Sequence, residues 1–99
     1  MKKAATKAEK AHMNRVQALG CIACRSQGYP DTPAEIHHVR DGQGLGQRNS
    51  HYNVLPLCPT HHRVGGIGEA FHAGKQTWQQ FWGSEEELLE QVRELLEVE

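Results

Sequence analysis

Val54-Leu55-Pro56-Leu57-Cys58-Pro59-Thr60-His61-His62-Arg63 is the stretch on which the fold turns. Its first four residues are apolar and read as a brief strand. Pro56 has no N–H to give to a ladder, so that strand is expected at an edge, or to be irregular. Pro59 suits the first position of a helix. That helix carries residues 60–63 and is expected to stop near Gly65-Gly66. Where strand gives way to helix, Cys58-x-x-His61 sets two metal-ligand types two residues apart, a gap that lets both side chains turn towards one ion. Upstream, Cys21-Ile22-Ala23-Cys24 repeats the gap. Two such pairs make a closed tetrahedral site of the kind structural zinc occupies. They close the 33 residues between them into a loop, and zinc binding there is folding free energy.

Residues 35–40 form the other strand candidate, and residues 41–50, with three glycines, read as a turn or long loop. Residues 4–19 are expected to be a helix, with Ala5, Ala8, His12, Val16 and Leu19 on one face and Gly20 as its stop. His12 is read there as a packed histidine. Residues 25–33 read as a loop. Residues 75–82 are predicted helical, with Trp78, Phe81 and Trp82 on one face directed to the core and Gly83 as a stop. The last helix opens on a capping box, Ser84 with Glu87, and its apolar stripe is Leu88, Leu89, Val92, Leu95 and Leu96. Glu85–Glu87 favour the positive end of its dipole, and the glutamates off the stripe read as solvation.

Composition narrows the function classes. Ninety-nine residues, 37% of them hydrophobic and six of them aromatic, make one domain with a thin core that calls for a staple. No apolar run is long enough for a membrane span, and the charged N-terminus has no apolar segment behind it, so no secretory signal is expected. A cytoplasmic protein keeps its thiols reduced, and three cysteines cannot all pair, which favours metal ligation. The net charge of −1 divides unevenly: residues 84–99 carry −6 and the remaining 83 carry +5. A basic body is compatible with DNA, and equally with an ordinary solvated surface.

Seven histidines are a high count for 99 residues. Their order, with one asparagine, is His37-His38, a loop, Asn53, a strand, then Cys58-x-x-His61-His62. In this order the chain resembles the HNH nucleases, also called ββα-metal or His-Me finger nucleases, with His61 standing where many members have a second cysteine. Gly20-Cys21, Ile36-His37-His38, Ser50-His51, Leu55-Pro56-Leu57-Cys58-Pro59, His61-His62-Arg63 and His72-Ala73-Gly74 together look like the phage recombination-enhancement nucleases, the Ref family, over about residues 15–96. Longer members of that family carry a basic, disordered N-terminal extension and cut DNA where the host RecA filament is present.

The resemblance implies an α+β fold with a small ββα-metal core, a structural zinc knuckle, and flanking N- and C-terminal helices. The organisation implied is a basic helix at 1–19, the zinc-stapled core at 20–83, and an acidic helix at 84–99 packing on it. The activity implied is metal-dependent hydrolysis of DNA phosphodiesters. Cys21, Cys24, Cys58 and His61 would bind the structural Zn2+. His38 would be the general base, near neutrality an imidazole that can accept a proton. His37 and His62 would hold a catalytic Mg2+ or Mn2+ acting as a Lewis acid at the leaving oxygen. Asn53 would fix the loop and orient His38. Arg40, Arg48 and Arg63 are the candidate phosphate clamps. DNA is the partner implied, with a RecA-coated filament as a second, in the cytoplasm of a bacterial host cell.

Two geometric questions follow. Adjacent strand residues face opposite ways, so His37 and His38 reach one site only if the strand is twisted or irregular. Some HNH nucleases also place a histidine four residues after the final one, where this chain has Gly66. His51, His72 or Asp41, or water, would then fill the third position. His51 and His72 stand open between metal ligation and hydrogen bonding, a second zinc site with His37 included. Two rivals are weighed. A non-catalytic zinc module that binds DNA or protein accounts for the cysteines but not for His38, Asn53 and His62. A hydrolase with zinc on His37, His62 and His72 lacks an HExxH helix. Few residues suited to reading bases predict weak sequence preference.

Overall fold

The computed structural model describes residues 4–39 and 51–98. Arg40, Asp41 and Arg48 lie outside the described residues. The elements run α1 (Lys7–Ala18), α2 (Ile22–Ser26), β1 (Glu35–His38), β2 (Val54–Leu57), a π-helical turn (Thr60–Val64), a 3-10 turn (Phe71–Ala73), α3 (Lys75–Trp82) and α4 (Glu85–Val98). The fold is α+β: β1 and β2 pair antiparallel, with Glu35 opposite Leu57 and His38 opposite Val54, and the helices surround them. Among the described residues, no helix is long and apolar enough to cross a membrane.

β2 is regular despite Pro56, because in a two-stranded sheet each strand is an edge and the missing N–H faces away from the ladder. All four of its residues are buried. The pairing runs one residue past β1, where Val39 N–H donates to the Asn53 carbonyl (3.0 Å). The cysteine knuckle at 21–24 opens a short helix that spacing does not predict: Cys21 caps α2, its Sγ accepting from Cys24 N (3.4 Å). Gly20 allows this entry. Its φ is +79°, and a Cβ there would sit 2.3 Å from the Pro30 carbonyl oxygen, while Cys21 N–H donates to Thr32 O (2.9 Å).

One core joins Val16 and Leu19 of the N-terminal region, Ile22, the strand residues Val54, Leu55 and Leu57, Phe71, Trp78, and Leu88, Leu89 and Val92 of α4. Leu95 and Leu96 pack against it while partly exposed. The capping box of α4 is formed as expected: Glu87 N donates to Ser84 Oγ (3.1 Å) and Ser84 N to Glu87 Oε1 (2.9 Å). Arg15 Nη2 donates to Leu96 O (3.2 Å), tying α1 to α4. Phe81 departs from its expected core position, being 72% exposed. The eight-residue α3 buries only a narrow strip, filled by Trp78, while Phe81 lies over Gly68 with its other side in solvent.

Candidate metal centres

Four ligand atoms meet where α2, the end of β2 and the π-helical turn converge. Cys21, Cys24, Cys58 and His61 each offer one, all within 4.8 Å of one another. The Cys24 and Cys58 sulfurs are 3.8 Å apart, and His61 Nδ1 lies 3.6, 3.4 and 3.2 Å from Cys21, Cys24 and Cys58. Tetrahedral zinc, with its usual bond lengths, requires S–S edges of about 3.8 Å and S–N edges of about 3.6 Å. The donor set and its spacing therefore fit a closed site that can hold a metal such as zinc. Burial pushes the Cys21 thiol up to about 12 and pulls His61 down. The imidazole is thus held neutral, as a ligand must be, and a metal would have to displace thiol protons. Trp82 covers this corner, its ring 4.9 Å from that of His61 and edge-on.

A second cluster gathers His37, His62 and His72, whose ligand atoms also lie within 4.8 Å of each other. Three different elements supply them. His37 is on the inward face of β1, His62 on the π-helical turn, and His72 on the 3-10 turn. Successive residues of a helical turn diverge by roughly 80–100°, so His61 and His62, though adjacent, serve different clusters. The turn is anchored by His62 N–H to Cys58 O (2.9 Å) and Gly65 N–H to Thr60 O (3.0 Å). Phe71 seats its neighbour His72 by packing its own ring 4.3 Å from that of His37 and 5.2 Å from that of Trp78.

Within the cluster the Nε2 atoms of His62 and His72 are 3.0 Å apart. Carboxylates back at least two of these rings. His37 Nε2 bonds Glu85 Oε2 at 2.8 Å, and His62 Nδ1 bonds Glu35 Oε1 at 2.9 Å. Arg63 grips the same Glu35 through Nε and Nη2, at 3.0 and 2.7 Å. Together Arg63 first, then His62, hold the Glu35 carboxyl down to about 2. The Glu35 carboxylate holds one nitrogen of His62 while the other faces His72, the arrangement that orients imidazole ligands in metal sites, and the Glu85 carboxylate holds His37 Nε2.

His38 faces the other way, as alternation along a strand requires. Its Nε2 lies 3.0 Å from His51 Nδ1. Asn53 accepts a bond from Arg93 Nη2 at its Oδ1 (3.2 Å). His12 Nε2 reaches Tyr52 O at 3.2 Å. The structure thus brings His37, His62 and His72 together and places His38 beside His51.

Sequence reasoning missed Glu35 and Glu85. Glu35 had a signal: it is two residues from His37 on a strand and so shares its face. Glu85 had one as well, because it leads the spacing 85, 88, 89, 92 that the buried stripe of α4 follows.

A comparison with curated proteins gives no match. The model of a family described as recombination enhancement, RecA-dependent nuclease, matches residues 5–97, a span that takes in both clusters, and the chain belongs to that family.

Proposed function

We propose that this member of the family is a divalent-metal-dependent DNA endonuclease of the HNH, ββα-metal type. Cys21, Cys24, Cys58 and His61 hold a structural zinc, and His37, His62 and His72 hold the catalytic ion. The observation that carries the reading is the meeting of three imidazoles from three separate elements, two of them backed by carboxylates. A stapled binding module has no use for that second cluster. The ion supplies Lewis acidity at the scissile phosphate and its leaving oxygen. An all-nitrogen donor set suits a transition ion such as Mn2+ better than Mg2+, which prefers oxygen ligands.

The chain's own residues do the rest. His38, one residue from the ligand His37 but on the opposite side of β1 and outside the ion cluster, would take a proton from the attacking water only with the phosphate bound across that strand. His51, on His38 Nε2, sets its tautomer and orientation. Asn53 steadies the same loop end through its backbone bond to Val39 and its side-chain bond from Arg93. Arg63 reaches phosphate by sharing or leaving Glu35, and Arg40 and Arg48 supply the other phosphate contacts. The substrate is DNA in a RecA-coated filament in the bacterial cytoplasm, cut with little sequence preference, and the core at 20–83 acts with its flanking helices as one unit.

The test is cleavage of plasmid DNA carrying a RecA filament, in Mn2+ or Mg2+, by the wild-type chain and by His38→Ala and His62→Ala. Nicking by the wild type, with each variant folded, zinc-loaded and at least about 100-fold slower, is the expected result. DNA binding without cleavage under every metal condition overturns the reading and leaves a zinc-stapled binding module.

A further inference from the structure

Among the described residues, His37 and Glu85 are the polar side chains that are fully buried, at 2% and 0% exposure, and they are bonded to each other. Glu85 stands at the head of a stripe whose other members are Leu88, Leu89 and Val92. An apolar residue would fill that position without desolvating a charge, and buried ionic pairs often lose to apolar replacements on stability alone. Three things offset the burial of this carboxylate. It accepts from His37. Lys75 Nζ stands 3.8 Å from its Oε1. It occupies the first residue of α4, at the positive end of the helix dipole.

The same pattern recurs on the neighbouring ligand. Arg63, Glu35 and His62 form a cation–carboxylate–imidazole chain, as Lys75, Glu85 and His37 do. The two chains enter the cluster from opposite ring atoms: Nε2 of His37 is taken by its carboxylate, and Nδ1 of His62 by the other.

We infer that Glu85 is a positioning residue for the ion site, holding the Nε2 proton of His37 so that Nδ1 presents its lone pair to the ion. This rests on the reading of His37, His62 and His72 as ion ligands. The bond does two things. It fixes the tautomer and the ring plane, and it makes the imidazole a better donor by drawing on its proton. Because the pair is shielded from water, no solvent molecule can replace the carboxylate when it is removed. Glu35 is part-exposed, so water can substitute for it in part, and its removal is expected to cost less.

The experiment titrates Mn2+ into the zinc-loaded full chain, comparing wild type with Glu85→Gln, Glu85→Ala, Glu35→Gln and His62→Ala. Zinc content and circular dichroism are followed in parallel. The wild type should bind one Mn2+ that His62→Ala loses. Glu85→Gln and Glu85→Ala should weaken it by about 10–100-fold, and Glu35→Gln by less, with the zinc retained. Mn2+ affinities of both folded Glu85 variants within about twofold of wild type, well below the loss expected of such a partner, would overturn the inference while leaving the ion site intact. Absence of the His62-dependent ion in the wild type itself would instead remove the reading beneath it. If the Glu85 variants do not fold, nitrogen-resolved NMR of the wild-type His37 ring decides. A proton on Nε2 supports the assignment, and a proton on Nδ1 overturns it.

Discussion

At the scale of single residues, the two adjacent histidines of β1 divide their labour because a strand sends neighbouring side chains to opposite faces. His37 turns inward to Glu85, and His38 turns to His51. Under the proposed function, this separation would keep an ion ligand and a proton acceptor apart while leaving them on one short backbone segment. His51→Ala is therefore expected to lower kcat about 10–100-fold by loosening the base, with Mn2+ affinity unchanged. Single-turnover nicking beside a metal titration checks this, and a matching fall in metal affinity would mean that His51 belongs to the ion site instead. The sequence made His37, His38 and His62 legible because their order is distinctive. It left His72 open between ligation and hydrogen bonding, one of several candidates for the third position, and the structure places it with His37 and His62. That depends on a 3-10 turn held by Phe71 against His37 and Trp78, a long-range packing relation with no local spacing to announce it.

At the scale of elements, spacing found each helix of eight residues or more but not which side of a short one is covered. Trp78, Phe81 and Trp82 share one face by count. Only Trp78 is fully enclosed, with its Nε1 donating to Glu69 O (3.0 Å), and Trp82 Nε1 donates to Gly68 O (3.1 Å) while its ring covers His61. Trp78→Ala should cost about 3–5 kcal/mol through the cavity it leaves. Phe81→Ser should change stability by less than about 0.5 kcal/mol, as at an ordinary surface position. Paired chemical denaturation curves separate the two, and equal losses would contradict the packing of α3. The last helix was legible in nearly full detail, because a capping box is a local device. Ser84→Ala should cost about 1 kcal/mol. The Glu87 carboxyl is lowered from its ordinary value of 4.5 by its bonds to Ser84 N and Oγ. A group depressed in the folded state stabilises above its unfolded pKa and loses that contribution as pH falls through the folded one. Glu87→Gln should thus be less stable than wild type near neutrality, with the difference shrinking as pH drops below 4.5. A gap that persists in acid would show that shape rather than charge accounts for the effect.

At the scale of the whole molecule, the chain has a radius of gyration of 13.1 Å and little apolar material to hold it. A core of this size is marginal without a cross-link. A metal held by the Cys3His cluster would supply one, joining α2 to the end of β2 and the start of the π-helical turn and closing the segment that carries both strands at its base. The two clusters would then be coupled mechanically, since His61 and His62 are consecutive and a metal at the first cluster would fix the turn that aims His62 at His37 and His72. This hierarchy predicts an asymmetry between the sites. Cys58→Ala, or a strong chelator applied to the wild type, should abolish cooperative thermal unfolding and remove Mn2+ binding along with it, because binding at a structural site is folding free energy. His62→Ala should lose Mn2+ and cleavage while keeping its zinc and its unfolding transition. Calorimetry with metal analysis on the two variants reads both quantities at once. A Cys58→Ala chain that still melted cooperatively and still bound Mn2+ at the histidines would mean that packing alone sets the second site, and that the cysteines do something other than hold the fold.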